Sequence, residues 1–518
     1  MSLFRSAATV SSFTLFSRIT GLVRDILIAS SFGAGPLTDA FWVAFRIPNL
    51  LRRLFAEGAF SQAFVPILGH TRTHNPPEAV RVLLDRVALL LTAVLMLVTL
   101  LGILGAPWVV SAMASGMRTA SRQTEFNAAI WMTRLMFPYI VCMSLVAFAS
   151  GVLNTWSRFA IPAFTPVLLN LAMIGASLFL PPYFEVPIYA LAAGVMIGGV
   201  AQLFMQWLAL ARLGLLPRYS LKFSQAWQDP TVKRIMRQML PAILGVSVAQ
   251  ISLLINTNIA TWLTPGSVTW LSFADRLMEF PTALLGVALG TVLLPSLSAA
   301  HARQDDKGYS ALLDWGLRLV ILLGLPAALG MALLSDGLVA TLFNYGAFSG
   351  RDVMQTKMAV MAYSVGLLGL LSIKILAPGF YAKQDIRTPV KIAVFILVLT
   401  QIFNLIFVPQ FAHAGLALSI GLGASVNALF LLVVLHRRKV YQPGPGWLRF
   451  TFKVLPALII LSAILLTAND WIDWVALGEQ PGLRVLWLAG VLALSGLGYF
   501  SSLFLCGFRP GDFTRRAR

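Results

Sequence analysis

From residue 8 to residue 506 the sequence repeats one pattern: an apolar run long enough to cross a bilayer, then a short polar or basic break. A bilayer core takes roughly 20 apolar residues per helix, and lipid offers no partner for an open strand edge. The chain therefore reads as an all-α integral membrane protein. The apolar runs fall at 8–32, 40–68, 84–112, 128–153, 160–180, 187–211, 238–262, 268–298, 311–334, 353–380, 389–408, 414–436, 452–469 and 485–506, which predicts about fourteen transmembrane helices. Only 11% of the 518 residues are charged, whereas soluble domains carry roughly a quarter.

The breaks set the orientation. With the N-terminus inside, the predicted inner connections hold 23 Lys and Arg and the outer ones 4. That asymmetry predicts both termini in the cytoplasm and an even number of spans. The net charge of +19 does not indicate nucleic acid, because the basic residues lie between apolar runs rather than on one compact domain. Arg18 and Arg24 interrupt the first apolar run, so it reads as a retained helix rather than a cleaved signal. Cys142 and Cys506 lie far apart in apolar segments and read as buried thiols.

Two halves look related. Arg46 in AFRIP corresponds to Arg276 in ADRLMEFP, 230 residues on, and Pro66 to Pro295 at 229. Gly151 and Pro162 recur as Gly379 and Pro389 at 228 and 227. A six-helix unit repeated in one orientation predicts two pseudo-symmetric six-helix lobes around a central cavity, with two C-terminal helices left over. The expected domains are 1–218 (first lobe), 219–237 (basic amphipathic cytoplasmic linker), 238–440 (second lobe) and 441–518 (the last two helices and a basic tail). The linker region is expected on the inner headgroup surface.

Ionisable residues inside these runs are costly, by roughly 2.5–3.5 kcal/mol each on insertion scales, and so mark function or pairing. The stretch DAFWVAFRIPNLLRRLFAEGAFSQAFVP carries Asp39, Arg46, Arg52, Arg53 and Glu57. Asp39, Arg46 and Arg53 are spaced by seven and share a helix face, which Glu57 rejoins. Arg18 and Asp25 share a face of the first run, and Arg24 points about 100° away. The eighth run adds Asp275, Arg276 and Glu279. Internal ion pairs are one reading: Asp25 with Arg18, Glu57 with Arg53, and Asp275 or Glu279 with Arg276. However, six arginines face five carboxylates in these three runs. A guanidinium cannot be neutralised and matches a phosphate fork, so the excess predicts an anionic ligand such as a diphosphate.

The remaining groups read more plainly. Arg158, Lys383, Asp385, Arg387 and Lys391 sit at inner loops as orientation signals or contact pairs. His70, His74, His301, His413 and His436 lack metal-ligand spacing and read as solvated or interfacial. No phosphate loop, catalytic triad or HExxH motif is present, so the chain does not read as an enzyme or as a nucleotide-driven pump.

Several stretches resemble the bacterial MurJ (MviN) family: SSFTLFSRITGLVRDILIASSFGAG, TDAFWVAFRIPNLLRRLFAEGAFSQAFVPIL, GVLNTWSRFAIPAFTPVLLN, FADRLMEFPTALLGVALGTVLLPSLS and APGFYAKQDIRTPVKIA. The resemblance covers the whole chain. It implies membership of the MOP exporter superfamily and flipping of lipid II, the undecaprenyl-diphosphate-linked peptidoglycan precursor, by alternating access in the inner membrane. It implies that Arg18, Arg24, Arg52 and Arg276 line a central cavity, with Arg24, Arg52 and Arg276 on the diphosphate, and that Asp39 is required at the outer end of the second helix. Ser17, Asp25, Arg53, Glu57 and Glu279 are supporting positions. The two last helices are expected to form a groove for the lipid tail. Some relatives bind sodium through carboxylates where this chain has Asn256 and Asn404, with Val408 one turn later. The sequence therefore argues against that sodium site and for coupling to membrane potential or another ion, with no cofactor and no metal. Lipid II and membrane lipids are the expected partners, with cell-wall synthesis and division proteins as candidates. Export of another polyprenyl-linked oligosaccharide or of a cationic drug, and a non-transporting cell-wall scaffold, are the competing readings.

Overall fold

A computed structural model describes residues 3–52, 60–220 and 222–509. Every regular element among them is a helix. They group into two compact units, Met1–Val268 and Thr269–Arg518. Nine helical runs among the described residues are long and apolar enough to cross a membrane. The charge-bearing helices Leu3–Phe32, Pro36–Arg52 and Ser267–Ala302 are not among the nine.

The first unit contains α1 (Leu3–Phe32), α2 (Pro36–Arg52), α3 (Ser61–His74), α4 (Pro77–Leu104), α5 (Ala106–Met113), α6 (Gln123–Met136), α7 (Tyr139–Thr155), α8 (Ala160–Phe179), α9 (Tyr189–Arg212), α10 (Phe223–Gln228) and α11 (Pro230–Thr261). Each break has a local cause. The run at 84–112 divides at Gly105, and the run at 128–153 at Phe137, ahead of Pro138, whose ring cannot donate to the ladder. Helix α1 packs on α8, α8 on α9 and α2 on α6. A Cβ added to Gly194 of α9 would lie 2.5 Å from the Ala176 Cβ of α8, so this approach requires a residue without one. The core stacks Phe60 on Phe64 at 4.9 Å and Phe64 near Phe148 at 5.2 Å.

Helix α11 begins at Pro230, eight residues before the apolar run at 238. Asp229 caps it by accepting from the Thr231 and Val232 amides, and Pro230 supplies a first-turn residue that needs no N–H partner. Much of the basic linker is therefore helical, as α10 and as the first turns of α11.

The second unit contains α12 (Ser267–Ala302), which starts at the boundary, then α13 (Asp306–Leu319), α14 (Leu325–Leu333), α15 (Ser335–Phe343), α16 (Gly350–Leu376), α17 (Pro378–Tyr381), α18 (Arg387–Arg437), α19 (Trp447–Trp471) and α20 (Pro481–Leu505). Helix α18 folds back at Ala412, whose φ of 49° and ψ of −126° are not helical, so the runs at 389–408 and 414–436 are two helices in direct succession. A π-helical turn, Val320–Gly324, joins α13 to α14, and the Tyr499 hydroxyl of α20 donates to the Leu322 carbonyl there at 2.6 Å. Helices α16 and α18 touch backbone to backbone: a Cβ on Gly366 would lie 2.1 Å from the Gly421 Cα.

Three expectations are corrected. His413 is buried rather than interfacial. Its Nε2 lies 2.8 Å from the Gln355 carbonyl, and its ring lies 5.1 Å from Trp270, because the fold at Ala412 turns it inward. The connection expected after the run at 311–334 is partly helical, as α15. Arg484, a loop charge by the sequence in the connection 470–484 between the last two apolar runs, is fully buried. Its guanidinium donates to Asn344 Oδ1 at 3.1 Å and to the Asn344 carbonyl at 3.0 Å, and it lies 4.7 Å from the centre of the Tyr345 ring. Its Nε has no hydrogen-bond partner among the described residues.

Candidate functional site

The first unit holds a buried polar cluster on α1 and α8. Arg24 sits where α1 meets α8, and its guanidinium is almost wholly buried. Its Nε and Nη2 donate to Asp25 Oδ1 at 2.9 and 2.6 Å, and its Nη1 to Asn170 Oδ1 at 3.0 Å. Asn170 closes the cluster by donating from Nδ2 to the Ser17 carbonyl at 2.9 Å and to Thr20 Oγ1 at 3.1 Å. The partner of Asp25 is thus Arg24, not Arg18. Adjacent helix positions diverge at the backbone, but an arginine is long enough to curl around the helix to its neighbour. Arg18 is exposed and makes no hydrogen bond or ion pair among the described residues.

Three of the five guanidinium N–H groups of Arg24 are used in these bonds, which leaves two uncommitted. Asp25 neutralises the buried cation, and Asn170 fixes the plane of the fork. Asn170 was not singled out from the sequence. The signal is weak, an amide near the middle of an apolar run, and only the packing of α8 on α1 reveals its role.

Asp39 lies in the first turn of α2 and is buried. Its Oδ2 accepts from the Gly266 amide at 2.6 Å. Gly266 has a φ of 102°, which only glycine adopts without strain. Arg46, about two turns further along the same face of α2, donates to Thr257 Oγ1 on α11. Asn258 and Trp262 fasten the same end of α11 to Ala112 and Ser115 at 2.9 Å each. The side chain of Arg52, and Arg53 and Glu57 entirely, lie outside the described residues.

In the second unit Arg276 and Glu279 pair on α12 at 2.7 Å, and both are partly exposed. Asn256 and Asn404 are buried amides in α11 and α18. Among the described residues no group of three or more His, Cys, Asp and Glu is placed to hold a metal ion. A cavity of about 750 Å³ opens between α19 and α20, lined by Ile464, Thr467, Trp471, Trp487, Val491 and Leu494 among others.

The helical fold is similar to that of solved transporters of the MOP superfamily. A solved inward-facing multidrug resistance MATE transporter of that superfamily matches with a TM-score of 0.67 over 84% of this chain and 98% of its own, at 15% identity. A solved structure of a lipid II flippase MurJ in an inward closed conformation matches with a TM-score of 0.76 over 95% of this chain and 99% of its own, at 23% identity. Residues 28–479 fit the family model for the lipid II flippase MurJ. A curated lipid II flippase MurJ from Burkholderia cenocepacia is 52% identical over all 518 residues and the full length of both chains. The chain belongs to the MurJ lipid II flippase family, a family of transporters rather than enzymes.

Proposed function

We propose that this chain flips lipid II from the cytoplasmic to the periplasmic leaflet of the bacterial inner membrane, by alternating access, for peptidoglycan synthesis. Family membership supports the cargo. The observation that carries the chemistry is Arg24, a buried cation in an apolar helix, held in place by Asp25 and Asn170 with two N–H groups uncommitted. A diphosphate is the ligand such a fork fits, and a cationic drug is not. Arg18, Arg52 and Arg276 are the further contacts we assign to the headgroup, with Ser17, Asp25, Arg53, Glu57 and Glu279 in support. Asp39, through Gly266, holds the outer end of the first unit shut.

The polyprenyl tail stays in lipid, part of it in the apolar cavity between α19 and α20. The charge asymmetry of the connections supports cytoplasmic termini. An inside-negative potential favours outward movement of an anionic headgroup, by about 2.3 kcal/mol per charge per 100 mV, and return of the emptied positive site. No cofactor is required by this scheme. The test is lipid II translocation in cells depleted of their own flippase and supplied with single Ala variants of Arg24, Arg52 and Arg276. Loss of translocation in these variants supports the assignment, and survival in all three refutes it.

A further inference from the structure

The segment between α9 and α11 is not a free tether. Arg81 of α4 donates to the Gly214 carbonyl at 3.0 Å, Asp85 accepts from the Arg218 amide at 2.7 Å, and Arg86 pairs with Asp229. Burial raises the pKa of Asp229, but its bonds to Arg86 and to the Thr231 and Val232 amides outweigh this and hold the carboxyl below its usual value. The Tyr219 hydroxyl lies 3.3 Å from Thr92 Oγ1. The segment is thus laid along one end of α4 at a defined depth.

That depth is informative. From Val94 onward α4 exposes Val94, Met96, Leu97, Leu100, Leu101 and Leu104, a face suited to acyl chains. Tyr219 docks two residues before it. At 1.5 Å per residue, Arg86, and with it the C-terminal end of α10, lies about 12 Å outside the start of that face, at headgroup level. Ala226 turns α10 inward, whereas Phe223 and Trp227, one helical turn apart, are exposed on the same helix. Lys222, Lys233, Arg234 and Arg237 are exposed beside them. The nearby carboxylates Asp85 and Asp229 are engaged with α4 and with the segment's own backbone. What remains outward is aromatic and cationic, the composition that binds an anionic interface.

We propose that α10 and the first turns of α11 form a docking surface for anionic phospholipid headgroups. Phe223 and Trp227 enter the interface, and Lys222, Lys233, Arg234 and Arg237 contact phosphates. The surface is distinct from the Arg24 cluster and does not depend on what the chain transports.

Hydrogen exchange of the full chain in nanodiscs tests this, with both leaflets alike so that orientation is immaterial. One set of discs is phosphatidylcholine alone, and the other is equal parts phosphatidylcholine and phosphatidylglycerol. The expected result is slower exchange at 222–237 in the anionic discs, by about tenfold. High salt, and the variant K222Q/K233Q/R234Q/R237Q, abolish the difference, while exchange in α8 and α9 is unchanged. Equal exchange in both disc types overturns the proposal. So does equal protection of the wild type and the charge-neutralised variant, which would assign it to apolar contact alone.

Discussion

Asp39 and Gly266 lie far apart in sequence and are joined by a hydrogen bond of 2.6 Å from the Gly266 amide to Asp39 Oδ2. A carboxylate at the first turn of α2 thereby ties down the connection that follows α11. A charge-assisted bond of this kind contributes about 2 kcal/mol. Asp39→Ala removes the acceptor, and a cysteine placed at the buried Ser267 should then react faster with an impermeant maleimide in the resting protein. Asp39→Asn keeps an acceptor oxygen and should fall between. Unchanged reactivity in Asp39→Ala would show that the bond does not hold this end closed.

Asn170 spends both halves of its amide on α1. Asn170→Ala should leave the fold intact, because the site is small and α8 keeps its apolar packing. It should weaken lipid II binding by about tenfold, equivalent to about 1.4 kcal/mol for one bond to a charged group. Asn170→Asp, of the same shape, places a second carboxylate on Arg24 and should weaken binding further. Lipid II affinity of the purified variants, measured beside their thermal unfolding, separates the two effects. Equal loss of stability and affinity would reduce Asn170 to a packing residue.

Arg484 anchors α20 to α15 through Asn344 and Tyr345. Replacement by Met keeps the volume but leaves the Asn344 carbonyl and amide oxygen without their donor in a dry site. The expected destabilisation is about 3 kcal/mol, read as a lowered unfolding temperature in detergent. Lys reaches fewer acceptors and should recover only part of it. Stability equal to wild type in Arg484→Met would show that the buried cation is not holding the helix.

Asp385 lies in the turn before α18. The Thr388 hydroxyl and amide and the Arg438 guanidinium lower its pKa to about 2 against the opposing effect of burial. The folded state thus has the lower pKa, so the stabilisation is complete above the unfolded value near 3.9 and is lost as pH falls toward 2. The group is partly exposed, and solvent screening leaves about 1 kcal/mol. The stability difference between wild type and Asp385→Asn should be constant from pH 7 to pH 5 and shrink between pH 4 and pH 2. A difference that does not change across that window would contradict the assignment.

The architecture was legible because lipid leaves few options. Apolar length set the helices, prolines and glycines marked several of their breaks, and Ala412 separates the two helices that sequence had already divided. Pairing was less legible. Helix geometry placed Arg18 and Asp25 on one face, yet Asp25 bonds Arg24, because a flexible arginine chain is not confined to the face of its Cα. Asn170 and Arg484 were missed for a related reason. Their partners lie on other helices, Ser17 to Arg24 for one and Asn344 for the other, and periodicity carries no information about neighbours distant in sequence. His413 looked interfacial from its position near a loop and became buried once α18 folded back on itself.

The role proposed for Arg24 is that of a planar fork for the anionic headgroup and not merely of a positive charge. It is tested most directly by lipid II translocation in proteoliposomes with Arg24→Lys and with the charge-balanced double variant R24A/D25N, both checked for a native unfolding transition. Both variants should fold and both should lose translocation, the lysine variant because a point charge cannot replace the bidentate fork. A folded R24A/D25N protein that flips lipid II at the wild-type rate would contradict it.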